Sequence, residues 1–345
     1  MSKTTIILVF LCALAACRQG PSGGEAPILN VLTWSDYFGS TTLSSFREKY
    51  GIEVRVDYID SNEELVAKLE TQPGQYDLVF PSAFAVTILQ KKNLLVEIDR
   101  SRLKNAANLL PAFARNADDP QGTWSVPYTV SYSAVAVNRE KIKEPVTSFG
   151  AFFERDYGKT ILLLDDMRAT IGMALKAKGY SANTQDAGQI GEAAEALIAL
   201  KPRVHIFASA DLQQLMASGE VALSYAWSGD IFQATRMNPS VEIVLPEEGT
   251  LLYTDCMAIP ASARHSGNAM KLIDHILDGE VAAEISNEIF YPTPNKAAEP
   301  FLNPEAKAIW ENLGQLTQNP KIEQVRYLGE AMDYFIQAWN EIKLR

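Results

Sequence analysis

The chain has 345 residues, with 31 Lys and Arg against 42 Asp and Glu and a formal charge of −11. That acidity, without any basic cluster, excludes nucleic acid as the natural partner, and the length suits two domains of ordinary size. With only 3 cysteines, a chain this long rests on its hydrophobic cores rather than on disulfides.

At the N-terminus, Lys3 precedes an apolar run, Ile6 to Ala16, and then Cys17. A short basic segment, an apolar stretch too brief to anchor as a span and small residues before the cysteine read as a signal peptide over residues 1–16. Leu14-Ala15-Ala16-Cys17 resembles a bacterial lipobox. Such a signal is cut before the cysteine, which then carries lipid and holds the protein at a membrane. Each buried methylene adds about 0.8 kcal/mol, so several chains anchor firmly. Residues 17–27 are the lipidated cysteine and a Gly/Pro/Ser-rich tether. Removing Lys3 with the signal leaves a charge of about −12. Cys12 lies in the signal, so Cys256, in "CMAIPA", is left as a small core residue. No other apolar run is long enough to cross a membrane.

From residue 28 strand-like and helix-like segments alternate. "ILNVLTW" is a strand, and "STTLSSFREKYG" a helix opened by Ser40 and closed by Gly51. Next come the strand "IEVRVDYI", the helix "SNEELVAKLETQ" with Ser61 and Glu64 spaced as a capping box, and the strand "YDLVFPS". This β-α-β-α-β order predicts a parallel sheet with right-handed crossovers, whose ligands sit beyond the carboxyl ends of the strands. The pattern restarts near 132 with "SAVAVNRE", then "TILLLDD", "ATIGMALKAKG", "HIFAS", "ADLQQLMASGE" and "VALSYAWSGD", a strand ending in a loop. Extended segments "VEIVLPEEG" and "TLLYTDCMAIP" precede the helix "GNAMKLIDHILD". Two such units leave a cleft between lobes, with boundaries near 131 and 253.

Catalytic machinery is missing from this sequence. His205, His265 and His275 are isolated, without a metal-binding spacing, and the last two are expected on solvated polar surface. There is no G-x-S-x-G, Walker A or dinucleotide fingerprint, and neither metal nor cofactor is called for. What recurs is an aromatic residue beside an acid at a strand end: "WSDY" at 34–37, "AWSGD" at 226–230 and "LYTD" at 252–255. "LLDD" ends a further strand, and "IFYPTP" sets Tyr291 in a loop stiffened by proline. Aromatic faces attract an ammonium by roughly 0.5–2 kcal/mol, and carboxylates give it charge-assisted hydrogen bonds. Acids crowded in a closed cleft need a ligand of matching positive charge. An anion would call for Arg or helix N-termini instead. The pattern therefore points to a di- or polyamine.

On these motifs the chain resembles the periplasmic spermidine/putrescine-binding proteins of ABC importers. "WSDYF", "DSNEELVAKL", "YDLVFPSAF", "WSVPYTVSYSAVAVN", "LLLDDMRATIGMALKAKGYSANT", "WSGD", "DCMAIPA" and "FYPTPNKAA" occur in the family's order and spacing. The resemblance implies an α/β fold of two lobes with hinge strands and the ligand in the cleft. Residues 28–131 plus 254–299 would form the N-lobe, and 132–253 plus 300–345 the C-lobe. By the same resemblance, the ligand-binding residues would be Trp34, Ser35, Asp36, Tyr37, Ser82 and Phe84 from the first part of the chain. Asp166, Trp227, Asp230, Tyr253, Asp255 and Tyr291 would complete the set. Phe84 and Tyr253 stand where relatives have a tyrosine and a Trp or Phe. The glutamate expected three residues after Asp166 is Ala169, and the expected C-terminal glutamine falls on Val325. Those losses favour putrescine over spermidine.

The function so implied is a lipoprotein that captures polyamine by lobe closure and delivers it to ABC permease and ATPase subunits. It would be periplasmic, touching the membrane through its lipid alone. A receptor or sensor for another organic cation, without transport, is the alternative. A cationic amino acid fits less well, since no Arg clamp for an α-carboxylate stands out.

Overall fold

The computed structural model describes residues 25–114 and 118–345, apart from the side chain of Gln315. The signal peptide, Cys17 and most of the tether lie outside the described residues.

Three strands open the fold: β1 (Ile28–Thr33), β2 (Glu53–Tyr58) and β3 (Leu78–Val79). They form a parallel sheet in the order β2-β1-β3, as the alternating pattern predicts. Side chains alternate across a strand. Leu29 and Val31 therefore face one core with Phe46, Phe80 and Leu272, while Leu32 joins Leu65, Val79 and Leu89 in another. The remaining strands are β4 (Val126–Asn138), β5 (Ile161–Leu164), β6 (Val204–Ala208), β7 (Leu223–Trp227), β8 (Val241–Val244), β9 (Leu251–Met257) and β10 (Glu323–Gln324). They form a seven-stranded sheet in the order β10-β9-β4-β7-β5-β6, with β8 beside β4.

Strand β4 has 13 residues and changes partner along its length. From Val126 to Tyr132 it pairs antiparallel with β9, and from Ser133 onward with β7 and β8. Beyond β9, Ala258 exchanges two backbone hydrogen bonds with Val79 at 2.9 Å each. That link ties β9 to the first sheet, so β4 and β9 run from one lobe into the other. Core residues of the second lobe come from β5, β7 and the helices Met167–Ala177, Ala187–Leu200 and Met332–Leu344, around Leu163, Ile171, Leu197, Tyr225 and Phe335.

Several local expectations need correction. The first helix is Thr42–Tyr50, with Thr41 rather than Ser40 at its N-cap, and acids from another helix cap it. Glu284 accepts from Thr41 N at 2.6 Å and Glu288 from Ser40 N at 2.7 Å. Gly51 does close it, at φ 68°. "AWSGD" does not end in a loop: Ser228 opens the helix Ser228–Met237 directly after β7. Tyr253 and Asp255 lie within β9, not at its end. His275 is buried against Phe46, with Ser45 Oγ 3.1 Å from its Nε2, and burial with nearby Lys49 lowers its pKa. His265 is also off open surface, its Nδ1 3.0 Å from the buried Asp77. Ser61 and Glu64 form the expected cap, Ser61 Oγ accepting from Glu64 N at 3.1 Å. Among the described residues no helix is long and apolar enough to cross a membrane.

Candidate functional site

A cavity lies between the lobes, with about 110 Å³ open to the centres of water-sized spheres. That is several waters' worth of room. Its walls come from loops at the carboxyl ends of β1, β2, β3, β5 and β6, from the start of the helix after β7, and from the β4–β9 ribbon. Eleven of the twelve residues singled out from the sequence line it: Trp34, Ser35, Asp36, Tyr37, Ser82, Asp166, Trp227, Asp230, Tyr253, Asp255 and Tyr291. Phe84 does not. Its ring is buried in the core of the second lobe, 5.8 Å from the Arg168 guanidinium.

Asp255 is the best supported of the acids. One carboxylate oxygen accepts from Ser82 Oγ at 2.7 Å, and the other accepts a short hydrogen bond from the Tyr37 hydroxyl. Tyr37 in turn has Thr129 Oγ1 at 2.8 Å, on the strand position facing Asp255 across β4 and β9. Ser82 is fixed by Asn62, whose Nδ2 donates to Ser82 Oγ at 3.1 Å while its Oδ1 accepts from Ser82 N at 3.0 Å. Burial raises the Asp255 pKa, opposed by the hydrogen bonds from Tyr37 and Ser82. Trp34 is held by its indole N–H, which donates to Phe80 O at 2.9 Å.

On the facing wall, Asp166 caps the helix Met167–Ala177, accepting from Ala169 N at 2.7 Å. It is half-buried at the cavity wall. Burial, with the Glu63 carboxylate adding to it, pushes its pKa up to about 7. Asp230 accepts from the Tyr291 hydroxyl at 2.9 Å, a bond that joins the two lobes. Burial raises Asp230 to about 6, with Asp36 contributing and the Tyr291 bond opposing. Trp227 and Tyr253 meet edge to face at 4.9 Å, and Tyr37 and Tyr291 at 6.2 Å. Gly229 passes so close to the other lobe that a Cβ there would meet Tyr291 Cζ at 2.7 Å and Ile289 O at 2.8 Å.

Among the described residues seven aspartates line the cavity, and no Lys, Arg or His does. Asp165 is already paired with Lys343 at 2.8 Å. Buried carboxylates without cationic partners hold protons, or wait for a cation from outside. Among the described residues no group of three His, Cys, Asp or Glu side chains is placed to hold a metal ion. The arrangement can bind an organic cation: carboxylates for its ammonium groups and rings for the methylenes between them.

Sequence reading missed the loops after the edge strands β2 and β6, which bring Asp60 and Asn62 from one side and Ser209, Asp211 and Gln213 from the other. The available signal was topological, since every parallel strand ends on this side of its sheet. Ala169 and Val325, both buried, present nothing to the cavity.

A two-lobed α/β fold with an acidic, aromatic cleft between the lobes is that of a solute-binding protein. Residues 41–318 match the model of the bacterial extracellular solute-binding proteins, and the chain belongs to that family. It is 36% identical to the spermidine/putrescine-binding periplasmic protein of Salmonella typhimurium, over 99% of both chains. Among solved structures it is similar to a Listeria monocytogenes chain assigned to a spermidine/putrescine ABC transporter, with TM-score 0.88, 27% identity, and 92% of this chain and 99% of that one covered. It is also similar to a Treponema pallidum lipoprotein of the PotD type, with TM-score 0.81, 26% identity and coverage of 92% and 100%.

Proposed function

We propose that this protein is a polyamine receptor, favouring putrescine and accepting spermidine, which captures its ligand between closing lobes and passes it to an ABC permease and its ATPase. The observation that carries this reading is the cavity wall. Asp166, Asp230 and Asp255 converge there with Trp34, Tyr37, Trp227, Tyr253 and Tyr291, and no basic side chain among the described residues lines it. Asp255 and Asp230 take the two ammonium ends of a diamine, and the rings cover its methylenes. The names of the relatives support the same ligand class.

Closure follows from contacts that only a bound ligand makes with both lobes. The lobes proposed are 28–131 plus 254–299 and 132–253 plus 300–345, a division supported by the change of partners along β4. Ser35, Asp36 and Ser82 belong to the first lobe's share of the wall. The chain works as a transport component rather than an enzyme, in the periplasm, tethered through lipid on Cys17. Membrane extraction of Cys17→Ser protein tests the anchor, since loss of lipid releases it to the soluble fraction. Mass spectrometry of what the purified protein releases on denaturation tests the ligand. Recovery of a polyamine near one per chain supports the reading, whereas recovery of a different solute replaces it.

A further inference from the structure

The loop that brings Trp34, Asp36 and Tyr37 to the cleft runs on through Gly39 into the helix Thr42–Tyr50. That helix has no cap of its own: Thr41 makes no side-chain cap, and the first turn holds no acid. The missing acceptors come from the helix Gly279–Ile289. Glu288 accepts from Ser40 N at 2.7 Å and from Ser40 Oγ at 2.8 Å. One oxygen of Glu284 accepts from Thr41 N at 2.6 Å and Thr41 Oγ1 at 2.8 Å, and the other from Thr42 Oγ1 at 3.0 Å. Spaced four apart, the two acids share one face of their helix. Gly39 lies against the same carboxylate, where a Cβ would meet Glu284 Cδ and Oε1 at 2.7 Å each. At its far end the helix turns through Phe290, left-handed at φ 58°, into Tyr291, whose carbonyl accepts from Ser286 Oγ at 2.8 Å. One helix therefore holds the downstream end of the 34–41 loop and also the ring that meets Tyr37 at 6.2 Å.

We propose that Glu284 and Glu288 are positioning residues of the ligand site. The proposal rests on the polyamine reading and deepens it. Neither acid lines the cavity, so both act through the loop. Trp34 and Tyr37 are tied by their own side chains, to Phe80 O and to Thr129 and Asp255. Among the described residues no side-chain hydrogen bond holds Ser35 or Asp36, which are exposed, with Asp36 at φ 50°. Their place is set by the backbone on either side, and the two acids pin the downstream side. A loop ordered in advance spares the ligand the cost of ordering it.

Hydrogen exchange and calorimetry on the mature protein, stripped of ligand and refolded, test this. In the double variant Glu284→Ala, Glu288→Ala, amides of residues 38–42 should exchange faster without ligand, while those of the second lobe stay as in wild type. Affinities for putrescine and spermidine should both fall roughly fivefold, the scale of a lost helix cap. The pair Glu284→Gln, Glu288→Gln keeps an acceptor oxygen at each position and removes the charge, so both affinities should stay within about twofold of wild type. Equal losses in the Gln and Ala pairs would mean that the acids act on a cationic ligand through charge alone, and would overturn the proposal. So would unchanged exchange at 38–42, or a lower melting temperature with unchanged affinities, the mark of a merely structural cap. Failure of the folded wild type to bind either amine overturns the polyamine reading itself.

Discussion

The two walls of the cleft are built differently. On the first lobe, both Asp255 oxygens are already engaged, by Tyr37 and Ser82, and these are braced by Thr129 and Asn62. On the second lobe, Asp166 accepts from the Ala169 backbone N–H, Asp230 reaches across to Tyr291, and the buried Tyr253 hydroxyl has no partner among the described residues. The first wall's acid is held by its own protein neighbours, whereas the second has polar groups that are met across the cleft or left for a ligand. Preorganisation on one side lowers the ordering cost of binding. Unmet groups on the other give the ligand something to favour in the closed state.

The largest test of this contrast is Asp255→Ala. It leaves an ammonium buried beside Tyr37 and Ser82 without its charge partner, and putrescine binding should weaken by about 2–5 kcal/mol in calorimetry. A loss below about half a kcal/mol, the scale of an exposed pair, would take Asp255 out of the site. Next is Gly229→Ala, which should act through closure rather than contact with ligand. Its Cβ would strike Tyr291 and Ile289 O of the other lobe. Overpacking costs about 1–3 kcal/mol, so affinity should fall roughly tenfold and X-ray scattering should show a more open ligand-bound form. An unchanged radius and affinity would mean that the lobes bind without approaching this closely.

A pH test probes the proton load of the second wall. The folded-state pKa values of Asp166 and Asp230 are raised, to about 7 and about 6. Groups shifted upward stabilise the fold below their unfolded pKa, and that contribution is lost as pH rises through the folded values. The ligand-free protein should therefore melt lower at pH 8 than at pH 5 on account of these two acids, and putrescine should raise the melting temperature more at pH 8. Asp166→Asn should flatten the ligand-free slope. If the wild-type and variant slopes coincide, Asp166 is not the titrating group. The smallest effect is expected from Phe84→Leu. Because Phe84 packs in the core away from the cavity, it should lower thermal stability while changing putrescine affinity less than twofold.

The central motifs were legible because their chemistry is local. Trp34, Asp36 and Tyr37 follow a strand that the apolar run Leu29–Leu32 announces, and a parallel sheet sends such loops to one side. Tyr253 and Asp255, two apart on β9, face the cavity together by simple strand alternation. Phe84 misled because the residue two after Ser82 lies on the helix Ala83–Lys91, which turns it toward Arg168 rather than toward the cleft. Gln213 and Asp60 were invisible for the opposite reason. Neither sits beside an aromatic, and only the position of β2 and β6 at the sheet edges brings their loops together. The helix start at Thr42 depended on Glu284 and Glu288, more than 240 residues away, which no local spacing could reveal.

The most direct test of the polyamine assignment is calorimetric titration of the stripped, refolded mature protein with putrescine and spermidine. Tight one-to-one binding of both, with putrescine ahead, is the predicted result. Heat-silent titrations with both amines, from protein whose folding is verified by its melting transition, would contradict it and leave the acidic, aromatic cleft to a different cation.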